Sequence, residues 1–170
     1  MKTKALVRSA LIGCLYYSFV LLNPIPTLSF GNNPLGFQIR ISEFLTVLPF
    51  FYPEAIFGLT IGCLLANLSS PFGWIDSVFG TACTLIAALL TYSLRRFKNR
   101  TVAYAGIIPP VIINAFGVGL YISILMNNNQ FTWIKYGSIC VLIFIGQAIS
   151  VGIGGSILIS YLLRKEKGTA

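Results

Sequence analysis

Seven polar side chains in this chain have the types and positions to do chemistry: Gln38, Arg40, Glu43, Asn67, Asp76, Asn114 and Gln147. A carboxylate accepts two N–H bonds from an amidine-like edge. Amide side chains complete in-plane pairing by offering a donor and an acceptor each, and aromatic rings stack on a flat heterocycle. The set therefore suits recognition of a planar polar base better than bond-making. Histidine is absent from the sequence, which removes every His-dependent dyad. There is no G-x-S-x-G elbow, no pair of catalytic acids and no G-x-x-x-x-G-K-[ST] loop, so hydrolysis of ATP by that route is not expected of this chain. With no histidine and two carboxylates, Glu43 and Asp76, on the relevant side, neither a metal nor a cofactor is expected.

These residues sit in a very apolar context. Of 170 residues, 12 are Lys or Arg and 4 are Asp or Glu, while 56% are hydrophobic. Charged residues make up about 25% of an ordinary soluble domain. Disorder, a coiled coil and an ordinary soluble enzyme are excluded, and a multi-pass protein of the cell membrane is expected. About 20 apolar residues cross a bilayer, so six spans fit. The expected helices cover 5–22, 41–52, 54–68, 75–94, 102–125 and 137–163, in a single all-α domain over 1–170. Lys2, Lys4, Arg8, Arg95, Arg96, Lys98, Arg100, Arg164, Lys165 and Lys167 flank the long apolar runs, as basic residues retained in the cytoplasm do. Only an even number of spans puts all three basic clusters on one face, which predicts that both termini are cytoplasmic. Nucleic acid is not an expected partner, despite the net charge of +8, because no aromatic residues interleave the basic ones on a polar face. Cys14, Cys63, Cys83 and Cys140 all lie inside apolar runs and read as buried small hydrophobes.

The second helix is too short to cross about 30 Å of hydrocarbon, so it must be tilted or packed among its neighbours. A loop over 27–38 is expected to fold into the outer half, opening a cavity outward. Gln38, Arg40 and Glu43 meet at that junction, Asn67 ends the third span and Asp76 opens the fourth. Asn114 and Gln147 lie roughly 15 Å down successive antiparallel helices. Together they converge on one outward-facing pocket. Each also has a plainer use: an i, i+3 ion pair for Arg40 and Glu43, a helix cap for Asp76, interhelical hydrogen bonds for Asn114 and Gln147. Glu54 follows Pro53 at a cytoplasmic helix start and reads as a first-turn anion outside the site. Ala5, Ser9 and Gly13 form a small-x-x-x-small ladder that suits either a partner helix or internal packing. Gly146, Ser150, Gly154 and Gly155 do likewise on the sixth.

The stretch Phe37-Gln38-Ile39-Arg40-Ile41-Ser42-Glu43-Phe44-Leu45-Thr46-Val47-Leu48-Pro49 resembles the Q-x-R-x-S-E-x-L-T-x-L-P signature of the QueT family. Phe51 to Ala55, Gly58 to Leu68, Asp76 to Leu85, and Pro109-Pro110-Val111 with Asn114 extend the resemblance, which covers about residues 5 to 163. It implies a six-helix substrate-binding S component of an energy-coupling factor (ECF) importer, taking up a queuosine precursor, a 7-deazaguanine base. It implies as partners a transmembrane T component and two ATP-binding cassette ATPases. It also implies that ligand is captured outside and released inside as the subunit topples, with Ala5, Ser9 and Gly13 facing the T component. Glu43, Arg40 and Asn67 match signature positions. The family pattern has glutamate after Gly146, where this chain has Gln147, which favours a neutral base such as the cyano form or queuine over the aminomethyl cation. A different S-component substrate, a self-sufficient secondary transporter and an intramembrane enzyme are the alternatives.

Overall fold

The computed structural model describes residues 3–22, 40–70, 73–97, 99–126 and 130–168, with side chains through 165. Six helices carry these residues: α1 (Thr3–Leu21), α2 (Ile41–Phe50), α3 (Ala55–Asn67), α4 (Gly73–Phe97), α5 (Arg100–Leu125) and α6 (Trp133–Lys165). Their boundaries lie within a few residues of those expected, the largest difference being the earlier start of α6 at Trp133. Four of them, α1, α4, α5 and α6, are long and apolar enough to cross a membrane. Their outer faces carry Leu6, Leu11, Leu15, Phe79, Ile86, Leu89, Phe116, Ile153 and Ile157, all exposed. An apolar surface on that scale belongs against lipid, not water.

Six helices are present as expected, and α2 and α3 are the two that are shorter than a full span. Pro49 and Pro53 break the apolar stretch between them. What remains is a 10-residue 3₁₀ helix and a 13-residue α-helix. At about 2.0 Å per residue for the first and 1.5 Å for the second, each reaches only about 20 Å. The 3₁₀ winding of α2 was not expected. Ser42, Glu43 and every residue from Leu45 to Phe50 are buried, so α2 is an interior element against which its neighbours pack. A helix that is apolar on all sides belongs in the interior.

Glycines set how closely α1 approaches α3. A Cβ on Gly13 would lie 2.9 Å from the Gly58 carbonyl oxygen, and one on Gly62 would lie 2.7 Å from that of Gly13. The two backbones touch, in register and in parallel. On α6, Gly154 and Gly155 admit Phe44 and Val47 of α2 in the same way, and the Ser150 hydroxyl donates to the Arg40 carbonyl oxygen at 2.5 Å. The ladder on α6 is thus internal packing. Paired contacts give the remaining directions: Cys63 with Thr84 and Asn67 with Gly80, Cys83 with Gly117 and Thr91 with Gly106, Tyr104 with Ser160 and Gly119 with Cys140 set successive helices antiparallel. Lys4, Arg8, Arg95, Arg96, Arg100 and Arg164 consequently gather at one end of the bundle. Arg40, Asn67 and Asp76 lie toward the other.

Wide, π-helical turns interrupt three of the four long helices, α4, α5 and α6, over Asp76–Gly80, Asn114–Val118 and Ala148–Gly155. Such turns recur at functional sites because they displace side chains from the regular face. Here Asp76 and Asn114 each open one, and Gln147 immediately precedes the third.

Candidate functional site: a buried polar chamber

Each predicted polar residue is held by a recognisable local device. Arg40 is the extended residue that caps α2, and the Glu43 N–H donates to its carbonyl oxygen at 3.1 Å, closing the first turn. On α4, Asp76, Gly80 and Thr84 follow at intervals of four and share a face. Gly80 has to be glycine: a Cβ there would sit 2.8 Å from Asn67 Nδ2, 2.9 Å from Asp76 Oδ1 and 3.2 Å from the Tyr121 hydroxyl.

Two linked clusters result. In the first, the Glu43 carboxylate, 1% exposed, accepts from the Tyr16 hydroxyl on Oε1 at 2.6 Å and from Asn114 Nδ2 on Oε2 at 3.1 Å. In the second, Arg40 donates to Asn67 Oδ1 at 3.0 Å and pairs with Asp76 Oδ2 at 3.7 Å. The other Asp76 oxygen accepts from the Tyr121 hydroxyl. Asn67 Nδ2 in turn donates to the Asp76 carbonyl oxygen at 3.2 Å and to Cys63 Sγ at 3.3 Å. Arg40 therefore ion-pairs with Asp76 across helices, not with Glu43 along its own helix. Asp76 serves this pair.

Between the clusters lies a cavity of about 10 Å³, lined by Arg40, Glu43, Gly80, Thr84, Asn114, Val118, Ile143 and Gln147. That volume takes about one water. Two polar atoms of lining residues, Arg40 Nε and Gln147 Oε1, are buried without a hydrogen-bond partner among the described residues. Leaving such a group unpaired costs about 1–3 kcal/mol, so an incoming polar ligand gains by meeting them. The lining offers one donor from a cation, one amide acceptor and a carboxylate, over the apolar side chains of Val118 and Ile143.

Of the seven expected site residues, Arg40, Glu43, Asn114 and Gln147 reach this chamber from α2, α5 and α6. Asn67 and Asp76 stand behind Arg40 and fix it. Gln38 lies outside the described residues, as does the 27–38 loop. Tyr16, Gly80, Thr84, Tyr121 and Ser150 complete the arrangement and were not anticipated. Tyr16 shares the inward face of α1 with Ser9 and Gly13, seven and three residues back, and Tyr121 follows Asn114 by two turns; those intervals were the available signals.

Ser9 and Gly13 are buried against α3, and Ala5 is half-buried. Both also floor an apolar groove of about 290 Å³ between α1 and α3, walled by Leu6, Ala10, Cys14, Tyr17, Ile61 and Leu65. Glu54 pairs with Arg8 at 3.2 Å, and Arg8 stands 5.3 Å over the Tyr52 ring. Cys63 and Cys140 are buried as expected, whereas Cys14 is exposed and Cys83 only partly covered. Among the described residues no cluster of three potential metal ligands occurs.

Long lipid-facing helices around a small buried polar chamber define a multi-pass cell-membrane protein. Residues 6–164 match the family model described as QueT transporter, and the chain belongs to that family of transporters. It is also similar to the Queuosine precursor transporter QueT of Lactococcus lactis subsp. cremoris (strain MG1363), with 34% identity over 99 residues, 58% of this chain. The match takes in 56% of that protein, so the chain aligns with little more than half of it. No solved structure matches.

Proposed function

We propose that this chain is the substrate-binding S component of an ECF-type importer and that its substrate is a queuosine precursor, a 7-deazaguanine base. The observation that carries this reading is the chamber itself. A buried carboxylate with acceptor positions to spare, an unpartnered amide oxygen and an unpartnered guanidinium N–H face one space, and together they complement the polar edges of such a base. The printed name of the Lactococcus relative points the same way. In this reading the end bearing Arg40 and Asp76 is the outer face, and the end bearing the basic clusters, with both termini, is cytoplasmic.

A base needs far more room than one water, since ligand pockets run to about 300 Å³ and above. Admission of ligand therefore requires α4, α5 and α6 to part around the wide turns at Asp76, Asn114 and Ala148. Gln147 presents a neutral amide where an acid would attract a cation, which favours the cyano form or queuine. Energy comes from elsewhere, because this sequence has no nucleotide-binding loop: two ATP-binding cassette ATPases act through a T component. Ala5, Ser9 and Gly13 take part in that docking as the edge and floor of the α1–α3 groove, against which a helix of the T component lies as the subunit topples.

One experiment with two arms tests this. Calorimetry on the purified chain should show Glu43→Ala weakening binding of a 7-deazaguanine base by about 30-fold or more, the cost of losing charge-assisted hydrogen bonds, while co-purification with the T component persists. Ala10→Trp, filling the groove, should do the reverse. Unchanged affinity in the first variant removes Glu43 from the site. Uptake into liposomes by this chain alone, driven by an ion gradient, would instead make it a self-sufficient secondary transporter.

A further inference from the structure

We propose that Tyr16 and Asn114 act as a clamp on Glu43, fixing the plane of its carboxylate so that the chamber selects bases with two adjacent N–H donors. The inference rests on the reading of the chamber as a base site and adds the residues that set its selectivity.

A carboxylate offers about four lone-pair positions, two on each oxygen. Tyr16 takes one on Oε1 and Asn114 takes one on Oε2. One position on each oxygen remains, on a group that lines the chamber, and the clamp we propose sets these two side by side as a pair of acceptors. Such a pair matches a ring N–H beside an exocyclic amine, as on a 2-amino lactam edge. The torsion that orients a carboxylate is soft and broad, so Glu43 cannot hold this plane by its own rotamer preference. Two donors from opposite sides, one on α1 and one on α5, can. Arg40 does not compete for the role, because its ion pair is with Asp76.

Tyr16 is suited to the task by its rigidity. Its side chain has no exposed surface, and its Cβ packs where α1 and α3 touch, 3.1 Å from the position a Cβ on Gly62 would take. Tyr16 is thus a positioning residue that acts through Glu43. Asn114 both positions Glu43 and lines the chamber.

The test compares 7-deazaguanine with 7-deazahypoxanthine, which lacks the 2-amino group, by calorimetry on the full-length purified chain. The wild type should prefer the first by about 100-fold or more, since a site built around a donor rejects an analogue lacking it. Tyr16→Phe keeps the ring and removes the hydroxyl. It should reduce that preference by about tenfold, the size of one buried hydrogen bond, mainly by weakening 7-deazaguanine. Asn114→Leu should reduce the preference in the same direction. General loosening of the bundle would weaken both bases alike and leave the ratio unchanged. A wild-type preference that both variants retain within about twofold overturns the clamp and leaves the base-site reading standing. Absence of any preference in the wild type overturns the base-site reading beneath it. If Tyr16→Phe does not fold, the ratio for Asn114→Leu decides.

Discussion

Gly80 shows how little room the site's residues leave one another. Side-chain atoms of Asn67, Asp76 and Tyr121 stand 2.8, 2.9 and 3.2 Å from where its Cβ would be. A methyl group there must push apart the partners that hold Arg40. We expect Gly80→Ala to cost about 1–3 kcal/mol by overpacking, and to weaken ligand binding more than Ala-for-Gly changes at Gly137 or Gly152, where a Cβ meets nothing within 4 Å. Thermal unfolding in detergent together with calorimetry measures both effects, and equal behaviour of the three variants would refute the assignment. Of the site at this scale, Arg40, Glu43, Asn114 and Gln147 were legible because a polar side chain in so apolar a chain needs an interior use. Tyr16 and Tyr121 were not, because tyrosine is as much at home at a membrane interface as in a core.

Helix α5 has a backbone problem that its sequence creates and its neighbour resolves. Pro110 has no N–H, so the Gly106 carbonyl oxygen four residues earlier loses its helical partner. The Thr91 hydroxyl of α4 donates to that oxygen at 3.3 Å. Away from water this substitution of partners is what allows proline inside a membrane helix. Thr91→Val keeps the shape and removes the donor. The expected loss is about 1–3 kcal/mol of stability, seen as a lower melting temperature with ligand affinity unchanged; an unaltered melting temperature would mean that the carbonyl is satisfied by another group. At the start of the same helix the Asn99 side chain accepts from the Thr101 amide at 3.0 Å, an ordinary N-cap. Helix positions were legible from hydropathy. The 3₁₀ winding of α2 and the wide turns of α4, α5 and α6 were not, since neither changes the pattern of apolar residues along the chain.

Across the whole molecule the charges are sorted. Lys4, Arg8, Arg95, Arg96, Arg100 and Arg164 stand at one end, while Arg40 and Asp76 pair near the other. The proposed orientation predicts accessibility. In intact cells a membrane-impermeant thiol reagent should label Trp133→Cys from outside in a background lacking the four native cysteines. Arg96→Cys and Arg164→Cys should react only after permeabilisation. The opposite pattern would invert the protein in the membrane and move the chamber's entrance to the cytoplasmic side.

Membrane residence, the helix positions and the identity of most chamber residues are properties of composition and order along the chain, because a bilayer imposes one simple rule on every segment that enters it. Which of those residues touch is a different matter. The deep burial of α2, the pairing of Arg40 with Asp76 where an i, i+3 pair with Glu43 was the plainer alternative, and the meeting of Tyr16 with Glu43 depend on glycines that let α1 and α6 come close to their neighbours. Contacts between residues 27 to 110 positions apart answer to packing in three dimensions, on which local periodicity is silent.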